Sequence, residues 1–510
     1  MSGTPHDKIK KIGELAAVLT QLRKEGKKTV LCHGVFDILH PGHIRHLEAA
    51  RREGDLLVVT VTPDRFVNKG PGRPIFPAEL RAEVLASLSP VDFVAVNEWP
   101  TAVQTLLQLK PDVYVKGGDY QDRSKDLTGK ITEEEEAVKS VGGKVVFTDE
   151  ITFSSSSLVN NFLNFYSEET SSFLKDFRER FSADTIVNYL NRVSDCRVLV
   201  LGDVIIDEYR YCSPMGKAAK ENVIATRYEG EETFAGGVLA AANHVAGFCH
   251  QVDLVTLLGT ENNYEEFVRS HLKRNVRPQF FLRQDAPTVV KRRYVEPGYM
   301  RKLFEICFVN GSYIPADVER NFLDYLDPIL PNYDLVLVTD FGHGLMTPAL
   351  IDLVCKKARF LAVTAQTNSA NAGFNLVTKY PKADYLCIDE PEARLAMQDC
   401  VNDLETVIQR LGEKLNCPHL SITHGRRGCL VYSRREELFR IPVLTRTVVD
   451  TVGAGDAFLS VTAPCVATGV PMPVVGFVGN AAGAMKVGIV GNRSSVEKVP
   501  LLKFISTLLK

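Results

Sequence analysis

The stretch His33-Gly34-Val35-Phe36-Asp37-Ile38-Leu39-His40-Pro41-Gly42-His43-Ile44-Arg45-His46-Leu47 follows an apolar run, TVLCH at 29–33, and precedes a strand-like run, DLLVVTVT at 55–62. Strand, Gly-Pro turn, helix (IRHLEAARREG, 44–54) and strand in so short a segment point to a parallel sheet, because parallel partners need a crossover between them. Working outward, the alternation recurs as RAEVLASL then DFVAV, TAVQTLLQL then DVYVKG, and EEEEAVKSVG then KVVFT. Residues 1–165 therefore read as one Rossmann-like α/β domain. Pro41 suits a first helical turn, where its missing N–H costs nothing. Unpaired amides at such a helix start form an anion site. His40 and His43 beside it can donate hydrogen bonds to a pentavalent phosphorus. The HxxH spacing also suits a metal pair, but the preceding strand, Gly34 and the Pro-Gly turn fit phosphate chemistry better.

The remaining 166–510 divide into a polar helical connector, 166–192, and a second α/β series, 193–510. That series runs through RVLVLGD, VDLVTLLG, DLVLVTDFG, RFLAVTAQ, DYLCID and HLSITHG. The chain has 510 residues, 24% charged and 45% hydrophobic, which is the balance of a globular protein. A formal charge of −2 gives no electrostatic footprint for nucleic acid or an anionic membrane. The 11 cysteines include no CxxC pair, so zinc-ribbon and disulfide-framework readings fail and no metal is expected from a side-chain motif. The N-terminus lacks the apolar core of a signal peptide, and a cytoplasmic location is expected. Ala457–Met485 carries no charge, yet Pro464, Pro471, Pro473 and Asn480 interrupt it, so two buried helices are expected rather than a membrane span. Glu133–Glu136 read as a solvated helix N-terminus.

The first motif resembles the HxGH signature of the nucleotidyltransferase superfamily, in its cytidylyltransferase-like branch. Lys69 with Arg73-Pro74, Arg81, Lys116-Gly117-Gly118-Asp119-Tyr120 and Phe153-Ser154-Ser155-Ser156-Ser157 follow in the family's order. The resemblance implies that His40 and His43 stabilise an α-phosphate as a sugar phosphate attacks it and pyrophosphate leaves. It implies further that His33, Gly34 and Phe36 line the nucleotide site, that Lys69 and Arg81 neutralise phosphate charge, that Ser154, Ser155 and Ser156 hold the outer phosphates, and that Asp119 meets the acceptor.

A second motif, Asp450-Thr451-Val452-Gly453-Ala454-Gly455-Asp456-Ala457-Phe458, opens the charge-free stretch. Small residues let a backbone close round an anion at a helix N-terminus, and a carboxylate there can take a proton from a hydroxyl. The segment resembles the catalytic motif of ribokinase-like (PfkB) sugar kinases. That resemblance implies Asp456 as the base, Gly453, Ala454 and Gly455 as the anion hole, and Asp207, Gly236 and Gly237 around the sugar. Thr423, Gly425 and Asn480 would flank the nucleotide, and Mg2+ would accompany ATP. The expected contact asparagine after Gly236-Gly237 is replaced by Ala240, and strand ends read Thr364-Ala365-Gln366 and Asp389-Glu390-Pro391-Glu392, so the sugar pocket is altered. Residue 343, a histidine in DFGHG, is expected in a loop at the sheet's carboxyl end.

Together the halves resemble the bifunctional heptose kinase/nucleotidyltransferases of ADP-heptose synthesis, in inverted order. The resemblance implies ATP-dependent phosphorylation of a sugar or sugar phosphate, a heptose 7-phosphate among the candidates, and nucleotidyl transfer from ATP or CTP to a sugar 1-phosphate. The partners are then small molecules and a second copy in a homodimer. The alternative keeps only the transferase catalytic, with the kinase-like half as a sugar sensor or scaffold.

Overall fold

Successive side chains of a strand face opposite sides of its sheet, so a strand covered on both faces is apolar throughout. Thr29–Gly34 (β1) behaves this way: Val30 and Cys32 enter one core cluster with Leu47, Leu57, Val59 and Leu85, while Leu31 joins Ile12, Leu15, Leu106 and Tyr114 on the other side. The computed structural model describes residues 4–118, 130–148, 166–369, 371–436 and 438–510. Asp119, Tyr120 and Phe153–Ser157 therefore lie outside the described residues. The chain divides into two compact units, Met1–Glu168 with Leu502–Lys510, and Glu169–Leu501.

In the first unit, β1 pairs in parallel with Leu56–Val61 (β2) and Val113–Gly117 (β4), and Phe93–Val96 (β3) and Lys144–Thr148 (β5) complete the order β3-β2-β1-β4-β5. The order reverses at β1. Connections leave this strand toward opposite faces, and a crevice opens at its carboxyl end. The HGVFDILHPGH segment starts there.

The second unit repeats the device on a larger scale. Seven parallel strands run in the order β10 (Val276–Arg283), β9 (Gln251–Gly259), β6 (Arg197–Gly202), β13 (Leu335–Asp340), β14 (Leu361–Ala365), β15 (Tyr385–Asp389) and β16 (His419–Thr423). Antiparallel β17 (Cys429–Ser433) and β18 (Phe439–Ile441) close one edge. Leu199 and Leu201 of β6 pack with Phe322, Leu350, Val354 and Ile408 from helices on one face, while Val198 and Val200 are buried on the other. A separate sheet has the order β12 (Arg301–Phe308), β11 (Val290–Glu296), β7 (Val204–Lys217), β8 (Ile224–Gly237).

The charge-free stretch resolves into two helices, Ala454–Ala467 and Met472–Lys486, nearly every residue buried. Among the described residues no helix is long and apolar enough to cross a membrane. The connector region contains the helices Glu168–Arg180 and Ala183–Arg192, the second capped by Ser182.

Gly428, between β16 and β17, has φ +88°, and a Cβ there would collide with the Ile441 carbonyl. Strain and clash act together, so Gly428→Ala should destabilise the second unit by about 2–4 kcal/mol. Urea unfolding checks this; an unchanged midpoint would contradict it.

Candidate functional sites

In the first unit the crevice is built from β1 outward. His33, next to last in β1, has both ring nitrogens engaged on the neighbouring strand and its extension, Nδ1 at 3.0 Å from Thr60 Oγ1 and Nε2 at 3.2 Å from Thr62 Oγ1. Burial and the nearby Lys116 push its pKa down to about 4. Gly34 has no room to spare, since a Cβ would lie 3.0 Å from the Phe36 ring. Phe36 adopts φ +48° and sets its ring edge-on to His43, centroids 5.5 Å apart.

His40 is the N-cap of the helix Pro41–Arg51, and its own Nδ1 accepts from the Gly42 N–H at 3.2 Å. The His43 N–H bonds the His40 carbonyl at 2.9 Å. The free amides expected at this helix start are thus taken up within the turn. The imidazoles are what remain to meet an anion. Accepting at Nδ1 leaves the neutral His40 ring with its proton on Nε2. His43 stacks beside it, centroids 3.9 Å apart, and its buried Nδ1 has no hydrogen-bond partner among the described residues. Burial, then the positive fields of His40 and Lys69, hold the His43 pKa down at about 3, and burial also lowers His40. Both rings are neutral donors at pH 7.

Lys69 supplies the positive charge. Burial lowers its pKa to about 8 against the pull of Asp37. Its loop is folded back by Asp37, a residue inside the motif that sequence reasoning passed over. The carboxylate accepts from Arg73 Nη1 (3.2 Å), the Ile75 N–H (2.7 Å) and the Phe76 N–H (3.3 Å).

Arg81 is placed differently from the phosphate-facing position expected of it. It is 2% exposed, and its guanidinium donates to the carbonyls of Phe76 (2.8 Å), Val35 and Thr62 (2.9 Å) and to Asp64 (2.5 Å). Most of its donors are spent on stitching three loops together. The glutamate run also differs from expectation. Glu134 is buried, pairing with Lys116 at 2.8 Å and accepting from the Tyr114 hydroxyl at 2.9 Å.

In the second unit Gly453 is the N-cap of Ala454–Ala467 at φ +76°. The helix's first-turn amides, those of Gly455 and Asp456 among them, have no carbonyl a turn earlier within the helix to bond. Asp456 sits in that turn; burial pushes its carboxyl up to about 6, with Lys486 pulling the other way and Asp207 adding to the rise. Asp450 organises the loop before it, accepting from the Tyr209 hydroxyl (2.7 Å), Lys302 Nζ (2.9 Å), the Gly491 N–H (2.9 Å) and the Val452 N–H (3.2 Å).

Asp207 lies on β7 opposite Lys291 of β11 and accepts from Arg293 and from Asn492 Nδ2 (3.3 Å). A Cβ on Gly236 would collide with its carboxylate, which accounts for one of the two glycines; Gly237 has φ +55°. Ala240 is buried in its helix. Asp203, at the end of β6, accepts from the amides of Phe341 (3.0 Å) and His343 (3.3 Å) across the crevice where this sheet reverses. His343 lines a cleft with Asp203, Arg283, Thr288 and Asn310.

Thr423 ends β16 and Gly425 turns the chain at φ +51°, while His424 Nε2 pairs with Glu390. Asn480 is buried, and its amide donates to the carbonyls of Pro442 (2.6 Å) and Ile441 (3.4 Å). It holds the end of β18 rather than presenting its amide to a ligand. Asp389 and Glu392 cap each other's backbone amides at 2.9 and 3.0 Å. Asp450, Lys302, Arg293, Asn492 and Lys486 were missed from sequence. Two of them left a signal there, Asp450 as the first residue of the quoted motif and Lys486 as the single charge ending an otherwise uncharged helix.

Fold and sites define a ribokinase-like α/β unit joined to a Rossmann-like unit, each with groups suited to a nucleotide's phosphates. The model of the pfkB family carbohydrate kinases matches residues 196–499, more than half of the chain, and the chain belongs to that family. The cytidylyltransferase-like model matches residues 31–162. The chain is 41% identical over 140 residues to the bifunctional protein HldE of Gluconobacter oxydans, covering 27% of this chain and 28% of that protein. To HldE of Pelobacter propionicus it is 25% identical over 326 residues, 63% of this chain and 66% of that one. The match thus spans little more than a quarter of the first of these relatives. The crystal structure of phosphofructokinase-2 from Escherichia coli in complex with potassium superimposes with TM-score 0.51 at 14% identity, over 62% of this chain and 100% of the other, and shares the fold.

Arg81→Met removes a buried charge and leaves three carbonyls without their donor. It should cost about 3 kcal/mol in the first unit. An undiminished urea midpoint for that unit would show the clamp to be dispensable.

Proposed function

We propose that the chain is a bifunctional enzyme of nucleotide-sugar synthesis. The second unit transfers a phosphoryl group from ATP to a hydroxyl of a sugar or sugar phosphate, a heptose 7-phosphate being the first candidate from the likeness to HldE. The first unit joins a nucleotidyl group from ATP or CTP to a sugar 1-phosphate and releases pyrophosphate.

The observation that carries the kinase reading is Asp456, held in the first turn of a helix with its pKa lifted to about 6. A carboxylate so placed is unprotonated at pH 7 yet basic enough to take the hydroxyl proton as the oxygen attacks phosphorus. The adjacent amides receive the charge that develops on the transferred group. In the transferase the neutral His40 and His43 donate hydrogen bonds to the α-phosphate, and Lys69 offsets polyphosphate charge. Mg2+ belongs to this reading as the counterion of the triphosphate. Among the described residues no cluster of three or more His, Cys, Asp or Glu forms a cage, and an ion bound through phosphate oxygens and water needs none.

Purified protein incubated with ATP or CTP and a panel of aldoses and aldose phosphates tests both halves. His43→Ala should abolish pyrophosphate release by about 100-fold or more while leaving ADP formation intact, and Asp456→Asn should do the reverse. Wild-type protein inert with every pairing would refute the proposal.

The pH profiles should differ. Asp456 loses its base form as pH falls through about 6, so kcat/KM for phosphorylation should drop tenfold per unit below that. Lys69 loses its charge as pH rises through about 8, so kcat/KM for nucleotidyl transfer should fall above it. His43, already neutral across this range, should add no transition to the transferase profile between pH 6 and 7.5. A shared profile for the two activities would contradict these assignments.

A further inference from the structure

Lys486 is fully buried at the end of its helix, and the mechanism above makes no use of it. Its ammonium donates to two backbone carbonyls, Val452 at 2.7 Å and Gly491 at 2.6 Å. Both belong to loops tied to Asp450, which accepts from the Val452 and Gly491 amides. Three carboxylates, Asp450, Asp456 and Asp207, favour its charged form, and Lys302 opposes it. Converging carbonyl oxygens backed by carboxylates make a hole that calls for a monovalent cation.

The hole sits directly behind the anion-binding turn. A Cβ on Gly453 would lie 3.1 Å from Lys486 Cε and 3.3 Å from Nζ, so the glycine at the helix tip rests on the lysine's end. Val452 precedes Asp456 by four residues, the position whose carbonyl would accept the Asp456 N–H if the helix continued backward. Lys486 draws that carbonyl to itself, and the Asp456 amide stays available to a ligand.

We propose that Lys486 is a built-in monovalent cation, whose ammonium fills the place between the Val452 and Gly491 carbonyls that free K+ or NH4+ would otherwise occupy and so holds the Gly453–Asp456 turn in its phosphate-binding shape. Lys486 is a positioning residue, and its effect on phosphoryl transfer rests on the kinase reading. The filled cation hole itself does not.

The test uses the full-length protein in potassium, ammonium or tetramethylammonium chloride at equal ionic strength. Wild type should melt at the same temperature in all three and phosphorylate the best acceptor of the panel at the same rate. Lys486→Ala empties the hole. Its phosphorylation rate should fall about 100-fold in tetramethylammonium. Potassium or ammonium at about 100 mM should restore at least about tenfold of that and raise the melting temperature, as binding to the folded state alone requires. Lys486→Met fills the space without charge, so it should be impaired and insensitive to the salt.

Stimulation of wild type by potassium would overturn the proposal. So would a folded Lys486→Ala indifferent to the choice of cation, or one that fails to fold even in potassium and ammonium. If wild type phosphorylates no acceptor, the kinase reading falls, while the melting temperatures still decide whether the lysine stands in for an ion.

Discussion

A parallel sheet that grows outward in both directions from one strand must leave a crevice where its connections diverge, because the helices on either side of that strand pack on opposite faces. In the first unit the strand is β1, and the residues that leave it are Val35 through His43. In the second it is β6, whose end places Asp203 against the amides following β13. In the first unit the proposed catalytic imidazoles sit on the chain segment that the strand order brings to this edge.

The two proposed sites are built on opposite electrostatic patterns. In the first, burial keeps the imidazoles uncharged, and Lys69 and Lys116 supply positive field around them. Neutral N–H donors of this kind stabilise a phosphorus centre without demanding a counterion when the ligand is absent. In the second, several carboxylates and cations are interleaved: Asp450 with Lys302 and Tyr209, Asp207 with Arg293, and Asp456 facing Lys486. Asp450 and Asp207 are each ion-paired, which is the condition under which such charges persist in a protein interior.

Sequence patterning revealed the strands and the two motifs because both are local. A run such as TVLCH or RVLVLGD is apolar for one physical reason, burial on both faces, and a Gly-rich turn before an apolar helix is readable without knowledge of the rest. Arg81 and Asn480 show where such reading stops. A polar side chain in a motif-like position looks the same in one dimension whether it meets a ligand or a carbonyl. Only the fold reveals that Arg81 faces Phe76, Val35 and Thr62, and Asn480 faces Ile441 and Pro442. The His40 cap was equally hidden: helix-start rules anticipate a Ser, Thr, Asp or Asn there, and an imidazole serves the same purpose here. Glu134 reads as one of four solvated acids until the fold sets it beside Lys116.

The guanidinium of Arg81 joins the loop after β1, the loop after β2 and the turn entering the next helix. Three segments sharing one knot cannot drift independently. A backbone shift in any of them reaches the other two before it reaches solvent, so sequence change in this region is constrained to occur in concert. Sequence variation around the first site then has its freest ground at positions outside those three loops.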